Sequence, residues 1–195
     1  MDAVTWSEAL ATVALAIALA ACAGLRAWLP LLLAGLLARV GWLELGDAFG
    51  FLASNRALAI FGVATLLETL ADKIPSLDHA LDALSTPLRP AAGALLAAAA
   101  IGHIMDPLPA LVLGTAVGAP AALVPHAAKS VLRGVSTTLT AGLANPVLSL
   151  IEDGLALLLF VLAVVVPLVV VLLLVAATVL MARRLLRRRS VPRPA

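Results

Sequence analysis

The stretch GLALLLFVLAVVVPLVVVLLLVAATVLMA, residues 154–182, decides the fold class of this chain, because none of its residues is charged. A helix needs about 20 consecutive apolar residues to cross a bilayer, and this stretch is longer than that. Pro167 lies near its middle and lacks a backbone amide donor, which predicts a kink. The stretch therefore predicts an integral membrane protein.

The composition of all 195 residues agrees with this prediction. Hydrophobic residues make up 63% of the chain and charged residues 12%, and the mean hydropathy is +1.13. Soluble domains contain about 45–50% apolar and about 25% charged residues. A soluble fold, a disordered chain and a disulfide scaffold are therefore excluded, and the single cysteine, Cys22, can form no internal disulfide.

Seven apolar segments predict an all-α fold, a polytopic transmembrane helical bundle of about seven spans. The second segment is short and the last is long, so these two can be broken or re-entrant. The loops between segments are too short for a soluble domain, so residues 1–182 are predicted to form a single transmembrane domain. The segments are residues 5–24, 28–43, 51–71, 88–105, 108–125, 135–152 and 154–182.

The basic residues predict the orientation of the chain. Six of the thirteen Lys and Arg residues lie in the tail 183–195, and all eleven Asp and Glu residues precede it. Because Lys and Arg accumulate in cytoplasmic loops, the tail is placed inside and the N-terminus outside, in a bacterial inner (plasma) membrane. The tail is expected to contact anionic lipids of the bilayer. Nucleic acid is not expected as a partner, because the basic excess belongs to the tail.

The densest polar cluster is ETLADKIPSLD, residues 68–78. Glu68 and Asp72 are four residues apart and share a helix face. A charged group at membrane depth costs about 2.5–3.5 kcal/mol, so it normally faces a partner or a water-filled cavity. Two interpretations remain open: these acids bind a cation or proton, or they pair with Lys73 or Arg89 at the interface.

Polar residues of the sixth segment form a second cluster, spaced as one stripe along a helix. Its members are Thr138, Gly142, Asn145, Ser149 and Glu152, followed by Asp153. An Asn-Pro pair inside the stripe can free carbonyls to bind a cation, while small and hydroxyl residues also favour close helix packing. The seven-span topology places Glu152 at the outer boundary and Glu68 near the inner one. The two clusters can then line one path, but they form a compact site only if a span is re-entrant.

Basic residues form a third group, predicted to lie on the cytoplasmic side. His126, Lys129 and Arg133 follow i, i+3, i+7 spacing and so share a helix face. Such residues can hold a phosphate or lipid headgroup, although the bias of basic residues towards the cytoplasm also explains them. The candidate anion or headgroup site consists of Arg26, Lys73, Arg89, Lys129 and Arg133.

Motifs of known enzyme chemistry are missing from the chain. The sequence contains no His-Glu-x-x-His, no Cys pair, no Gly-x-Ser-x-Gly and no phosphate-binding loop. An enzymatic role therefore has no support in the sequence, no cofactor is predicted, and the sequence identifies no metal site.

Three motifs resemble a known family. GLRAWLP at residues 24–30, ETLADKIPSLD at 68–78 and NPVLSLIED at 145–153 are similar to motifs of small bacterial integral membrane proteins catalogued as a domain of unknown function. The likeness covers about residues 10–165. It implies no substrate or mechanism, and it supports the two polar clusters as the candidate functional core.

The leading hypothesis is a small transporter or channel-like protein for an ion or small solute. In it, Glu68 and Asp72 bind the coupling cation or proton, and Thr138, Asn145, Ser149 and Glu152 line the path. A chain of this size is compatible with a homodimer. One alternative is a protein that handles lipid phosphates, either a flippase or an enzyme, and another is a non-catalytic membrane scaffold.

Overall fold

The computed structural model describes residues 5–72 and 75–189, without the side chains of residues 75–85, 185 and 187–189. Within these residues every regular element is helical, so the all-α prediction is confirmed. The elements are α1 (Trp6–Leu25), α2 (Trp28–Arg39), a 3₁₀ helix (Asp47–Ala53), α3 (Asn55–Ala71), α4 (Pro75–Ile101), α5 (Pro107–Thr140), α6 (Asn145–Val165) and α7 (Pro167–Arg189).

Four of the described helices are long and apolar enough to cross a membrane, namely α1, α5, α6 and α7 as far as Arg184. A fifth span results if the 3₁₀ helix and α3, which meet at 56°, are one broken span. The short helix α2 and the stretch of α4 from Thr86 to Ile101 are apolar but shorter. These helices indicate a membrane protein, whereas the prediction of about seven spans is not confirmed.

Helix α5 differs from its prediction. The sequence predicts separate helices over 108–125 and 135–152, but α5 runs without interruption from Pro107 to Thr140 and contains Pro120 and Pro125. Prolines are tolerated inside membrane helices where neighbouring groups satisfy the freed carbonyls. The predicted break between the fifth and sixth segments is therefore wrong.

The chain turns instead at residues 141–144. Ala141 has a φ of 51° and Gly142 a φ of 85°, and glycine enters this left-handed region without steric cost. Helix α6 begins at Asn145 with Pro146 in its first turn, where a missing amide donor leaves no helical hydrogen bond unmade. The predicted continuous stripe is wrong, because this turn divides it between two helices.

The apolar stretch at the end of the chain also belongs to two helices. Helix α6 ends at Val165 and α7 begins at Pro167, whereas the sequence predicts one kinked span over 154–182. Val166 adopts φ −140° and ψ 68°, outside the helical region. A residue before proline is pushed away from helical geometry, so Pro167 separates two candidate spans. Helix α7 continues into the predicted tail as far as Arg189.

Small residues bring the central helices close together. Helix α1 packs against α4, α5, α6 and α7, and its residues 18–24 are fully buried. Helices α4 and α5 approach each other closely: a Cβ atom added at Gly118 would lie 2.5 Å from the backbone oxygen of Gly93. Membrane helices commonly associate through such small residues, because they allow the backbones to touch.

The bundle has two distinct ends. At one end the loop after α2 meets the end of α4, where the Gly46 amide donates to the Ala99 carbonyl at 2.8 Å and Glu44 lies 3.0 Å from His103. The other end is called the polar end below. There α5 lies beside three other parts of the chain: Arg26 after α1, Asp72 after α3, and the first turns of α6. The polar end carries the candidate site.

Candidate functional site

Charged side chains are buried together at the polar end. The network defined by their contacts, called the ion network below, joins residues from α1, α3, α4, α5 and α6. Its members are Arg26, Glu68, Asp72, Arg89, Lys129, Arg133, Glu152 and Asp153. All but Asp153 are less than 9% exposed. Burial of this many charges is stable only when each is paired and hydrogen-bonded.

Asp72 lies at the centre of the ion network. Its Oδ2 accepts hydrogen bonds from Arg26 Nη1 at 2.5 Å, Arg133 Nη2 at 3.0 Å and Lys129 Nζ at 3.3 Å. Asp72 directly follows α3 as its C-terminal cap. This single oxygen therefore connects the end of α3 to α1 and α5 through charge-assisted hydrogen bonds.

Glu152 is the second acidic centre. Arg133 donates from Nε to Oε1 at 3.1 Å and from Nη2 to Oε2 at 2.7 Å, which is the bidentate geometry of a strong pair. Lys129 Nζ lies 3.0 Å from Oε2. Because both cations also reach Asp72, the same two side chains of α5 are shared between an acid of α3 and an acid of α6.

Arg26 connects α1 to α6. Its backbone is extended, with φ −135°, which ends α1 and points the next residues into α2. Its Nη2 donates to Ser149 Oγ at 3.0 Å and lies 2.5 Å from Asp153 Oδ1. Ser149 is fully buried. One guanidinium thus joins the ends of three helices.

Glu68 holds the joint between α1 and α2. Its Oε1 accepts from the Ala27 amide at 3.1 Å and its Oε2 from the Trp28 amide at 3.4 Å. A carboxylate is favoured there because the first amides of a helix are otherwise without partners and carry partial positive charge. Arg89 Nη2 lies 3.9 Å from the same carboxylate. Glu68 is therefore a backbone cap as well as a member of the ion network.

Arg89 also reaches α5. Its Nη1 lies 2.6 Å from His126 Nδ1. A guanidinium has only donors, so Nδ1 accepts this hydrogen bond and the imidazole is neutral in this arrangement. His126, which the sequence places on the same helix face as Lys129 and Arg133, lies beside the network as that spacing predicts.

The acidic and basic groups that the sequence suggests as separate sites form a single network. The placement of Glu152 and Glu68 at opposite membrane boundaries is wrong, because Arg133 contacts both Glu152 and Asp72, one helical turn from Glu68. The error follows from the predicted break in α5, which adds a membrane crossing between the two acids. Lys73 lies outside the described residues.

Of the predicted polar stripe, only the residues on α6 belong to the site. Asn145, Ser149 and Glu152 are buried, and Asn145 Nδ2 donates to Thr137 Oγ1 at 3.3 Å. Thr138 is exposed on α5, and its hydroxyl donates to carbonyls of its own helix, so it does not belong to the site. Within the described residues, no group of three or more His, Cys, Asp or Glu side chains could hold a metal ion.

A partly open cavity of about 280 Å³ adjoins the ion network. Four helices line it: α1, α5, α6 and α7. Its lining is apolar except for Lys129 and Glu152. Sequence reasoning missed this cavity, although the i, i+3, i+4, i+7 spacing of Val170, Leu173, Leu174 and Ala177 indicates one packed face of α7.

The comparisons with known proteins identify a family. No curated protein and no solved structure matches the chain significantly. A family model described as a domain of unknown function matches residues 13–188, which include every member of the ion network. This match confirms the resemblance to a family of unknown function and extends it through most of α7. The chain therefore belongs to the family described as domain of unknown function DUF4126.

Proposed function

We propose that the protein is a small membrane carrier in which the ion network couples movement of a solute to protonation of Asp72 or Glu152. The observation that carries the proposal is the sharing of two cations. Lys129 Nζ and Arg133 Nη2 each lie within 3.3 Å of both Asp72 Oδ2 and Glu152 Oε2.

The position of these charges supports a functional role. Glu152 is the eighth residue of α6, which places it about 10 Å from the start of that candidate span. Ionisable groups at such depth are costly and usually belong to substrate or proton pathways. Apolar packing could link α3, α5 and α6 without the desolvation free energy that buried charges cost.

The shared cations provide two arrangements of the same helices. Protonation of Asp72 removes its charge, and Lys129 and Arg133 are then held by Glu152 on α6 alone. Protonation of Glu152 instead leaves both cations with Asp72 at the end of α3. A carrier needs such an element with two discrete states, because substrate or proton binding must favour one of them.

Glu68 takes a different role in this proposal from the one that the sequence favours. The sequence hypothesis makes Glu68 the ion-binding acid, together with Asp72. Its carboxylate is engaged by the amides of Ala27 and Trp28, so it positions the start of α2. We therefore assign the titrating role to Asp72 and Glu152 and a positioning role to Glu68.

The arginine-rich tail supports a cytoplasmic location of the ion network. Ala177 of α7 lines the same cavity as Lys129 and Glu152, and Arg183 and Arg184 follow about two turns later. The described end of α7 thus lies at the polar end. Basic residues after an apolar span mark the cytoplasmic side, so the proposed orientation keeps the C-terminus inside, beside anionic lipids.

Charge displacement in proteoliposomes tests the carrier proposal. Purified protein is reconstituted on a solid-supported membrane and exposed to phosphate, dicarboxylates, amino acids, alkali cations and dodecyl phosphate at acidic, neutral and alkaline pH. We expect at least one of these probes to give a transient current that wild-type protein shows and Asp72→Asn and Glu152→Gln lose. Glu44→Gln is the matched control, because Glu44 is an exposed acid at the opposite end.

Two results would contradict the proposal. One is the absence of any probe-dependent current in wild-type protein over the whole panel. The other is a current that persists unchanged in both network variants when they are present in the membrane at the wild-type level. Loss of the current in Glu44→Gln would show instead that the assay reports a nonspecific effect of removing an acid.

A further inference from the structure

The cavity beside the ion network is built from one apolar face of each of four helices. Leu25 of α1, Leu132 of α5, Leu159 of α6 and Leu173 of α7 all contribute to its wall. Several wall residues, Leu132 and Leu173 among them, are also exposed on the outer surface of the bundle. A hydrocarbon chain can therefore enter from the bilayer, and each methylene that it buries in the cavity favours binding.

The polar wall of the cavity favours an oxygen acceptor. Glu152 already accepts from Arg133 at both oxygens, and Lys129 approaches one of them. A lysine ammonium has three donors, and the described residues direct two carboxylate oxygens at it, one each from Asp72 and Glu152. Within the described residues no carboxylate faces the third donor, and Lys129 lines the cavity, whereas the acid beside it is satisfied.

We propose that the cavity binds an amphiphile that has one hydrocarbon chain and an oxyanion head, with the head at Lys129 and the chain between α5, α6 and α7. The shared chemistry covers alkyl phosphates and long-chain carboxylates. This inference rests on the proposed carrier role, because it names the substrate class of that carrier. The binding itself is a separate property and is tested separately.

The charge balance of the network adds a second requirement. The described members comprise four cations and four acids, so the formal charges of these eight residues cancel. An oxyanion that enters this buried region leaves an excess negative charge unless a proton enters with it. The acid nearest to the cavity is Glu152, and Asp72 shares its cations, so one of these two takes the proton.

Among the side chains that the structure describes, the charged groups that face these two acids are members of the network. Arg26, Lys129 and Arg133 surround Asp72, and Lys129 and Arg133 surround Glu152. Arg26 is in turn held by Asp153, while Arg89 lies between Glu68 and His126. Binding of the amphiphile is therefore expected to strengthen as the pH falls, because protonation of either acid removes the excess negative charge.

Photo-crosslinking in lipid nanodiscs tests the binding. The probe is a dodecyl phosphate that carries a diazirine on its chain, in nanodiscs of zwitterionic phospholipid, and labelled peptides are mapped by mass spectrometry. We expect labels on the cavity faces of α5, α6 and α7. Unlabelled dodecyl phosphate and dodecanoate should compete about tenfold or more better than dodecyltrimethylammonium, because only an oxyanion bonds to Lys129.

Two cavity variants separate this site from general contact with lipid. Ala128→Phe fills the cavity from α5 and should remove most of the labelling. Ala64→Phe changes a different apolar hollow, on α3, and should leave it unchanged. Equal competition by the cationic amphiphile, or labelling that Ala128→Phe does not reduce, would overturn the proposal and indicate an ordinary bilayer chain.

Proton uptake completes the test. Addition of dodecyl phosphate to the protein in weakly buffered nanodiscs with a pH indicator should remove protons from solution, and Ala128→Phe should abolish this uptake. Binding without proton uptake would overturn the charge-balance argument. The failures are distinguishable. At alkaline pH dodecyl phosphate is a dianion, and one proton leaves it with a net charge, so labelling without a transient current from this probe at alkaline pH contradicts the carrier. A current with a hydrophilic probe and no labelling contradicts the amphiphile.

Discussion

Arg133 and Glu152 form a bidentate ion pair across the turn that connects α5 and α6, with Nε–Oε1 at 3.1 Å and Nη2–Oε2 at 2.7 Å. The pair holds the two helices together from opposite sides of residues 141–144. The same Arg133 also contacts Asp72. The proposed function rests on this sharing of one cation between two acids.

A double-mutant cycle should show strong coupling in this pair. Removing one partner of a buried ion pair typically costs about 3–5 kcal/mol, because the other charge stays buried without compensation. Arg133→Met and Glu152→Gln should each destabilise the protein substantially, and the double variant should cost clearly less than their sum. Unfolding in detergent measures the loss of unfolding free energy in the two single variants and in the double variant. Costs that add to within about 0.5 kcal/mol would contradict the pairing.

Removal of the Glu68 carboxylate should loosen the start of α2. Glu68→Ala leaves the amides of Ala27 and Trp28 without an acceptor, at a cost of about 1–3 kcal/mol. Hydrogen exchange of the peptide containing these amides should become faster, while peptides of α7 keep their rates. Unchanged exchange at Ala27 and Trp28 would contradict the capping role.

Two hydroxyl residues of the predicted stripe should respond differently. Ser149→Ala removes one of the two acceptors of Arg26 Nη2, in a fully buried position, and should cost about 1–3 kcal/mol. Thr138→Ala removes an exposed hydroxyl bonded only to its own helix and should change the unfolding free energy by less than about 0.5 kcal/mol. Thermal unfolding of the two variants side by side compares them. Equal destabilisation would mean that Thr138 contacts the site.

Two glycines of α5 give a matched test of helix packing. Gly118→Ala places a Cβ 2.5 Å from the Gly93 oxygen, so α4 and α5 must separate and the melting temperature should fall. Gly134→Ala meets nothing within 4 Å and should be neutral or stabilise by up to about 1 kcal/mol, because alanine favours the helix. A tolerated Gly118→Ala would contradict the close approach.

Much of the fold could be predicted from hydrophobicity alone. The apolar segments locate α1, α2 and the end of α3 to within a few residues, since burial in lipid requires continuous apolar helices. The helix boundaries cannot be predicted at prolines, because a proline can lie inside a helix or begin a new one. Pro125 lies inside α5, whereas Pro167 begins α7. Local sequence cannot decide between these outcomes, because neighbouring helices determine whether a freed carbonyl finds a partner.

The members of the site could be predicted better than their arrangement. The cost of charge at membrane depth identifies Glu68 and Asp72 as unusual, and helical spacing selects Arg133 and Glu152. Their pairing depends on the turn at residues 141–144, for which Gly142 followed by an Asn-Pro pair is a usable signal. The capping of α2 by Glu68 is a contact between residues about forty positions apart, so no local pattern reveals it.

Infrared difference spectroscopy of the carboxyl groups tests the central claim most directly. Dodecyl phosphate is added to wild-type protein in nanodiscs, and the spectrum is recorded in the range where protonated carboxyl groups absorb. The account predicts a new protonated-carboxyl band that is lost in Asp72→Asn or in Glu152→Gln and kept in Glu44→Gln. Binding demonstrated by crosslinking without such a band, or a band unchanged in both network variants, would contradict proton coupling at Asp72 and Glu152.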